Sequence, residues 1–192
     1  MQKAELRKKY LEKRKALSYD EASLLSEKIF SNFIDFFKLR KGQKVHLFIP
    51  IKKFKEIDTF LFIKLFWKKE IRVFVPKIVG DQLISVEIFE DSVFETHSWG
   101  IFEPVSNKDS GETFFDYIIT PLLYCDPKGN RIGYGKGFYD GFFQSISQDS
   151  LKIGVNYFNP NEIIDDVWEN DIPLDYLVTP TEVLSFFTGG RE

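Results

Sequence analysis

Apolar positions along the chain fall into two rhythms. Between residues 44 and 50 the run KVHLFIP is short, β-rich and nearly all apolar, and it stops at Pro50. Such a run predicts a strand covered on both faces. IRVFVPK (71–77), DYIITP (116–121), KIGVNY (152–157) and DYLVTP (175–180) have the same character. ISVEIF (84–89) differs: apolar and polar residues alternate, which predicts an exposed antiparallel strand.

Longer segments carry the helical rhythm. Residues 3–16 contain no Gly or Pro and predict a helix. Its apolar stripe is loose, but Lys3, Arg7 and Arg14 recur at spacings of four and seven and share one face. Ser18 and Glu21 form a capping box that opens a second helix, with apolar positions at Leu24, Ile29, Phe33 and Phe36–Phe37. Thr59 opens a third, running to about Trp67, and a short fourth is expected around 138–146. Strands separated by helical spacers predict one α/β domain over residues 1–192. The expected architecture is three-layer α/β/α with a mostly parallel, open, Rossmann-like sheet and an antiparallel excursion near 84–89. No internal repeat, low-complexity tract or long linker interrupts it.

Composition narrows the setting. The chain has 192 residues, 43% hydrophobic and 29% charged, which suits a soluble domain with a sizeable core. The 21 phenylalanines are read as core filling. No apolar run approaches the length of about 20 residues that spans a bilayer, and no apolar stretch follows the first charges as in a signal peptide. The single cysteine, Cys125, excludes an intrachain disulfide and fits a reducing, cytoplasmic compartment. Net charge is −3, yet residues 1–15 carry seven basic and two acidic side chains. A mildly acidic body with one basic helix argues against nucleic acid or membrane as a partner and for a small anion.

The densest chemical signal is GNRIGYGKGFYDG, 129–141. Glycines let a backbone turn sharply and present N–H groups to an anion. The loop follows a predicted strand and leads into a predicted helix, so phosphate oxygens would be favoured there. Gly133, Gly135 and Gly137 supply room and donors, Arg131 and Lys136 add positive charge, and Asp140 is a hard oxygen ligand suited to Mg²⁺ beside phosphates. Neither the Walker A pattern nor G-x-G-x-x-G is present. Taken alone, the loop fits phosphate binding or a purely structural turn.

The longer run PLLYCDPKGNRIGYGKGFYDGFF, 121–143, resembles the signature of 5-formyltetrahydrofolate cyclo-ligases, with Ile132 where leucine is usual. KAELRKKYLEKRKALS resembles the family's opening, and KEIDT, RVFVPKIV, WGIFEP, KIGVNY and DYLVTP resemble family runs in the same order. The likeness covers nearly the whole chain. It implies ATP-dependent closure of 5-formyltetrahydrofolate, with or without a polyglutamate tail, to 5,10-methenyltetrahydrofolate by a cytoplasmic monomer using Mg²⁺.

The resemblance also assigns roles. Lys136, Arg131 and Tyr134 would act on the reacting groups. ATP would be held by Lys3, Arg7, Arg131, Gly133, Tyr134, Gly135, Lys136, Gly137, Phe138 and Tyr139. Ile51, Glu56, Tyr134 and Phe138 would meet the folate, Glu56 by accepting pterin N–H groups. Asp140 and Asp171 would hold Mg²⁺. Two departures stand out: Asn170 replaces a usual histidine, and PIKKFKE (50–56) is about two residues longer than usual. Trp99 and Phe102 resemble a pocket edge only loosely. Asp126 is expected to shape the turn before Pro127 and Cys125 to be a small buried apolar group. His97 has no Cys or His partner for a zinc site. A phosphosugar isomerase or CoA-transferase relative, and a non-catalytic folate- or nucleotide-binding protein, are the competing readings on the same sheet.

Overall fold

The computed structural model describes residues 1–80, 82–96 and 102–187. His97 and Trp99 lie outside them. Two helices lead, α1 (Lys3–Ala16) and α2 (Tyr19–Phe36). Ser18 and Glu21 cap α2 reciprocally: the Ser18 Oγ accepts the Glu21 N–H at 3.1 Å and the Glu21 carboxylate accepts the Ser18 N–H at 2.6 Å. Strand β1 (Lys44–Leu47) is followed by a 3₁₀ turn (Lys52–Phe54), α3 (Phe60–Lys68), β2 (Arg72–Val79) and β3 (Gln82–Ile88). The second half holds β4 (Phe94–Thr96), β5 (Phe102–Pro104), β6 (Tyr117–Pro121), β7 (Tyr124–Cys125), β8 (Arg131–Ile132), α4 (Phe138–Ser145), β9 (Leu151–Val155), β10 (Tyr176–Val178) and β11 (Val183–Ser185).

The main sheet runs β11-β10-β9-β6-β1-β2-β3. The five central strands pair in parallel, and β3 and β11 close the two edges antiparallel. The expected excursion is β3, antiparallel in register from Val73↔Ile88 to Val79↔Gln82. Ser85, Val86 and Ile88 are buried rather than exposed as the alternation predicts, because Val86 and Ile88 join the main core. The β11 edge and the small hairpins β4–β5 and β7–β8 have no counterpart in the sequence reading. Each of those strands has two or three residues, too few to show a period.

Alternation along β1 sorts the layers. Val45 and Leu47 point into the core beneath α2 and α3, where the Phe33 ring lies 4.7 Å from Phe37 and 5.3 Å from Phe62. His46 points to the other face, 4.6 Å from the Phe142 ring of α4 and 5.3 Å from Phe115. Burial holds the His46 pKa down to about 3, so the imidazole is neutral. Nine of the phenylalanines are buried core filling as composition suggested, whereas Phe36, Phe89, Phe102 and Phe114 are exposed. Helix α1 stands apart: Leu6 and Tyr10 form a separate buried cluster with Leu123, Tyr124 and Ile132 on the β7–β8 hairpin. No helix among the described residues is long and apolar enough to cross a membrane.

Close packing sets one stability test. A Cβ at Gly154, on β9, would lie 2.5 Å from Leu174 Cδ1 and 2.9 Å from Leu122 Cδ2, with Leu177 at 3.2 Å. Gly154→Ala is therefore expected to destabilise the protein by about 1–3 kcal/mol through overpacking. Each kcal/mol should lower Tm by about 2–4 °C in a thermal melt. An unchanged melt would show that the three leucines yield freely.

Candidate active site

From β1 the chain moves to β2 on one side of the sheet, and from β6 it moves to β9 on the other. Connections diverging from two adjacent parallel strands open a crevice at their carboxyl ends. The loop leaving β1 carries Ile51 and Glu56; the hairpin and glycine loop leaving β6 carry Arg131 to Asp140. The two meet directly. The Tyr134 hydroxyl donates to Glu56 Oε1 at 2.6 Å, and the Ile51 backbone N–H donates to Glu56 Oε2 at 2.8 Å. The Phe54 ring packs 5.5 Å from Tyr134 at 31°.

Glu56 is only 9% exposed. Burial pushes its carboxyl pKa above the ordinary value, against the pull of the Ile51 N–H, the Tyr134 hydroxyl and the Arg14 charge. Burial likewise pushes the Tyr134 phenol up, so it stays a donor.

Helix α1 lies across the glycine loop. Arg7 Nε donates to the Gly133 carbonyl at 3.0 Å, and its guanidinium faces Gly135, where a Cβ would sit 3.5 Å away. Gly135 (φ +87°) and Gly137 (φ +71°) adopt the left-handed conformation that glycine tolerates without strain. Gly137 caps α4, its carbonyl accepting the Asp140 and Gly141 N–H groups at 3.1 Å. Lys136, at the apex between the two, is exposed and has no hydrogen bond or ion pair among the described residues. Phe138 and the Tyr139 ring open α4 half-buried; the Tyr139 hydroxyl is buried without a partner among the described residues.

Arg131 is placed differently from a free phosphate-binding cation. Its side chain is 7% exposed, pairs with Asp140 Oδ1 at 2.9 Å, donates to the Ile172 carbonyl at 2.7 Å and covers the Phe143 ring. It braces the first turn of α4 against the segment that holds Asp171. Lys3 Nζ pairs with Asp171 and lies 5.1 Å from the Trp168 ring centroid. Asp171 Oδ2 also accepts the Trp168 N–H at 2.6 Å.

Among the described residues no group of three or more His, Cys, Asp or Glu side chains is gathered to hold a metal. A magnesium site beside phosphates needs only one or two carboxylates. Asp140 Oδ2 and Asp171 Oδ1 take no hydrogen bond or ion pair from the described residues, so both carboxylates keep a ligand atom available. Either carboxylate fits that requirement on its own.

Two smaller expectations hold. Asp126 accepts the Lys128 and Asn130 N–H groups at 2.9 Å and shapes the turn. Cys125 is fully buried, and burial pushes its thiol up, which makes it inert. Phe102 stacks on Phe94 at 4.8 Å, in the hairpin β4–β5.

The model of the 5-formyltetrahydrofolate cyclo-ligase family matches residues 1–180. The chain belongs to the 5-formyltetrahydrofolate cyclo-ligase family. One cyclo-ligase relative, the 5-formyltetrahydrofolate cyclo-ligase of Mycoplasma pneumoniae, is 33% identical over 93% of this chain and 98% of its own. The NMR structure of Aquifex aeolicus 5,10-methenyltetrahydrofolate synthetase superposes with a TM-score of 0.83 at 34% identity, covering 100% of this chain and 96% of that one. A 5,10-methenyltetrahydrofolate synthetase from Mycoplasma pneumoniae gives 0.74 at 26% identity, over 94% and 99%.

Within the cyclo-ligase frame, α1 brings further residues to the crevice. Arg14 reaches the centre of the crevice, and Tyr10 and Lys9 fasten α1 to Glu162 at 2.6 and 2.8 Å. Arg14 shares the spacing of Lys3 and Arg7, a signal that pointed to it; Glu162 carried none.

Proposed function

We propose that the protein uses ATP to cyclise 5-formyltetrahydrofolate to 5,10-methenyltetrahydrofolate, releasing ADP and phosphate. Family membership supports the reaction class. The observation that carries the assignment of the site is the Tyr134–Glu56 contact, because it joins a folate acceptor to the glycine loop at the switch point of the sheet.

The formyl oxygen attacks the γ-phosphorus and ADP leaves. The folate N10 then attacks the activated carbon, the C–O bond to phosphate breaks, and N10 gives up its proton. Phosphoryl transfer of this kind asks a protein for positioning and charge neutralisation more than covalent work. Lys136, exposed and without an ion pair among the described residues, supplies charge to the γ-phosphate, and the backbone N–H groups from Gly133 to Phe138 and Tyr139 line the phosphates. Lys3 and Arg7 close over them from α1. Arg131 acts from beneath the loop by fixing Asp140. Glu56 accepts pterin N–H groups, and Ile51, Tyr134 and Phe138 border the ring. Mg²⁺, when bound by Asp140 and Asp171, would neutralise phosphate oxygens.

Purified protein mixed with 5-formyltetrahydrofolate and Mg-ATP should develop the near-ultraviolet absorbance of the methenyl product. Growth of that band must require both ATP and Mg²⁺. A folded sample that produces no band would remove the proposed reaction, and a band that forms without Mg²⁺ would remove the metal.

A further inference from the structure

Arg14 is an unusual residue for a helix that otherwise reads as a charged, solvated face. It is 1% exposed, one of the largest fully buried side chains in the protein. Its Nη1 donates to the Tyr134 hydroxyl at 3.2 Å and its Nη2 to the Leu122 carbonyl; its Nε has no partner among the described residues. Taking a guanidinium out of water is costly unless paired charge and hydrogen bonds offset it. The one carboxylate with which it interacts through a shared hydroxyl is Glu56. The Tyr134 hydroxyl therefore accepts from a cation and donates to an anion, which fixes both the rotor of the phenol and the plane of the carboxylate.

We infer that Arg14 is a positioning residue that sets the orientation and the charge of Glu56 through Tyr134, and so governs how tightly the folate is held. The inference rests on the reading of Glu56 as the folate acceptor. The groups that face Glu56 from the elements around it are Arg14 from α1, Tyr134 from the glycine loop, Tyr139 from α4 and Tyr157 after β9. Of these Arg14 alone is a cation. It opposes the burial that favours a protonated Glu56, and a protonated carboxyl loses acceptor capacity for pterin donors.

The test is the pH dependence of kcat/KM for 5-formyltetrahydrofolate, with saturating Mg-ATP, in Arg14→Met, Arg14→Lys, Tyr134→Phe and Glu56→Gln. Arg14→Met should move the acid limb upward by about one pH unit or more, the size expected when a neighbouring opposite charge is lost. It should raise KM for the folate about tenfold, as for a charge-assisted hydrogen bond, with KM for ATP little changed. Arg14→Lys should restore part of the limb. Tyr134→Phe removes the intermediary, should shift the limb the same way, and serves where Arg14→Met does not fold. Glu56→Gln should abolish the limb. A folded Arg14→Met or Tyr134→Phe with the parent limb overturns the inference. A Glu56→Gln protein with parent limb and KM instead overturns the reading of Glu56 itself.

Discussion

Lys136→Ala is expected to lower kcat for cyclisation by about 10²–10³-fold, or about 3–4 kcal/mol of transition-state stabilisation, the cost of deleting one preorganised group that meets developing charge. The side chain is exposed and has no hydrogen bond or ion pair among the described residues, so the fold does not depend on it. A surface change of that kind alters stability by within about 0.5 kcal/mol. Activity and Tm should therefore separate: steady-state rates collapse while the melt stays in place. Arg131→Ala should behave otherwise, since its side chain braces Asp140 and the Ile172 carbonyl from a buried position. Equal rates for Lys136→Ala and the parent protein would move the γ-phosphate away from the loop apex.

Glu56→Gln is expected to lower kcat/KM for the folate by about 10–10²-fold, the loss of hydrogen bonds to a charged acceptor, with KM for ATP little affected. The amide keeps one oxygen acceptor, but its NH₂ group can accept from neither the Ile51 N–H nor the Tyr134 hydroxyl. In the parent enzyme the acid limb of kcat/KM should lie above the ordinary glutamate value of 4.5, because burial raises the carboxyl pKa. The sign for stability runs the other way. A folded-state pKa above the unfolded one means the folded protein binds more protons between the two values, so ionising Glu56 weakens the fold as pH rises through that window. Glu56→Gln removes this term, and its Tm at neutral pH should not fall on that account. Isothermal titration with the folate in the absence of ATP checks the binding half; parent-like affinity would show that the pterin sits elsewhere.

Much of the framework was legible because it follows local rules. The runs at 44–50, 71–77 and 116–121 are apolar and β-rich, and they became β1, β2 and β6; Pro76 did not end its strand, because β2 stays paired with β3 through Pro76 to Val79. Ser18 and Glu21 announced α2 within four residues. The glycine loop stood out because Gly135 and Gly137 occupy backbone angles that other residues avoid. What stayed hidden depends on distance along the chain. Arg131 reads as a free cation beside glycines, yet a carbonyl 41 residues later and the Asp140 carboxylate engage it. Arg14 reads as sharing the helix face of Lys3 and Arg7, and only the packing of α1 against the β7–β8 hairpin reveals its burial. The Tyr134–Glu56 bond spans 78 residues, beyond any periodicity.

That separation has a consequence for synthesis. The acceptor loop with Glu56 follows β1, but the glycine loop cannot come beside it until β6 has paired with β1, in the register Val45↔Tyr117. Contacts between such distant residues carry a loop-closure cost and form slowly. A nascent chain that has emerged only as far as β3 contains the residues of α1, Glu56 and β1–β3 but not β6, the strand that pairs with the free edge of β1. The crevice does not yet exist at that point. Its two walls are synthesised at different times, and the crevice closes only when the glycine loop that follows β6 reaches the Glu56 loop.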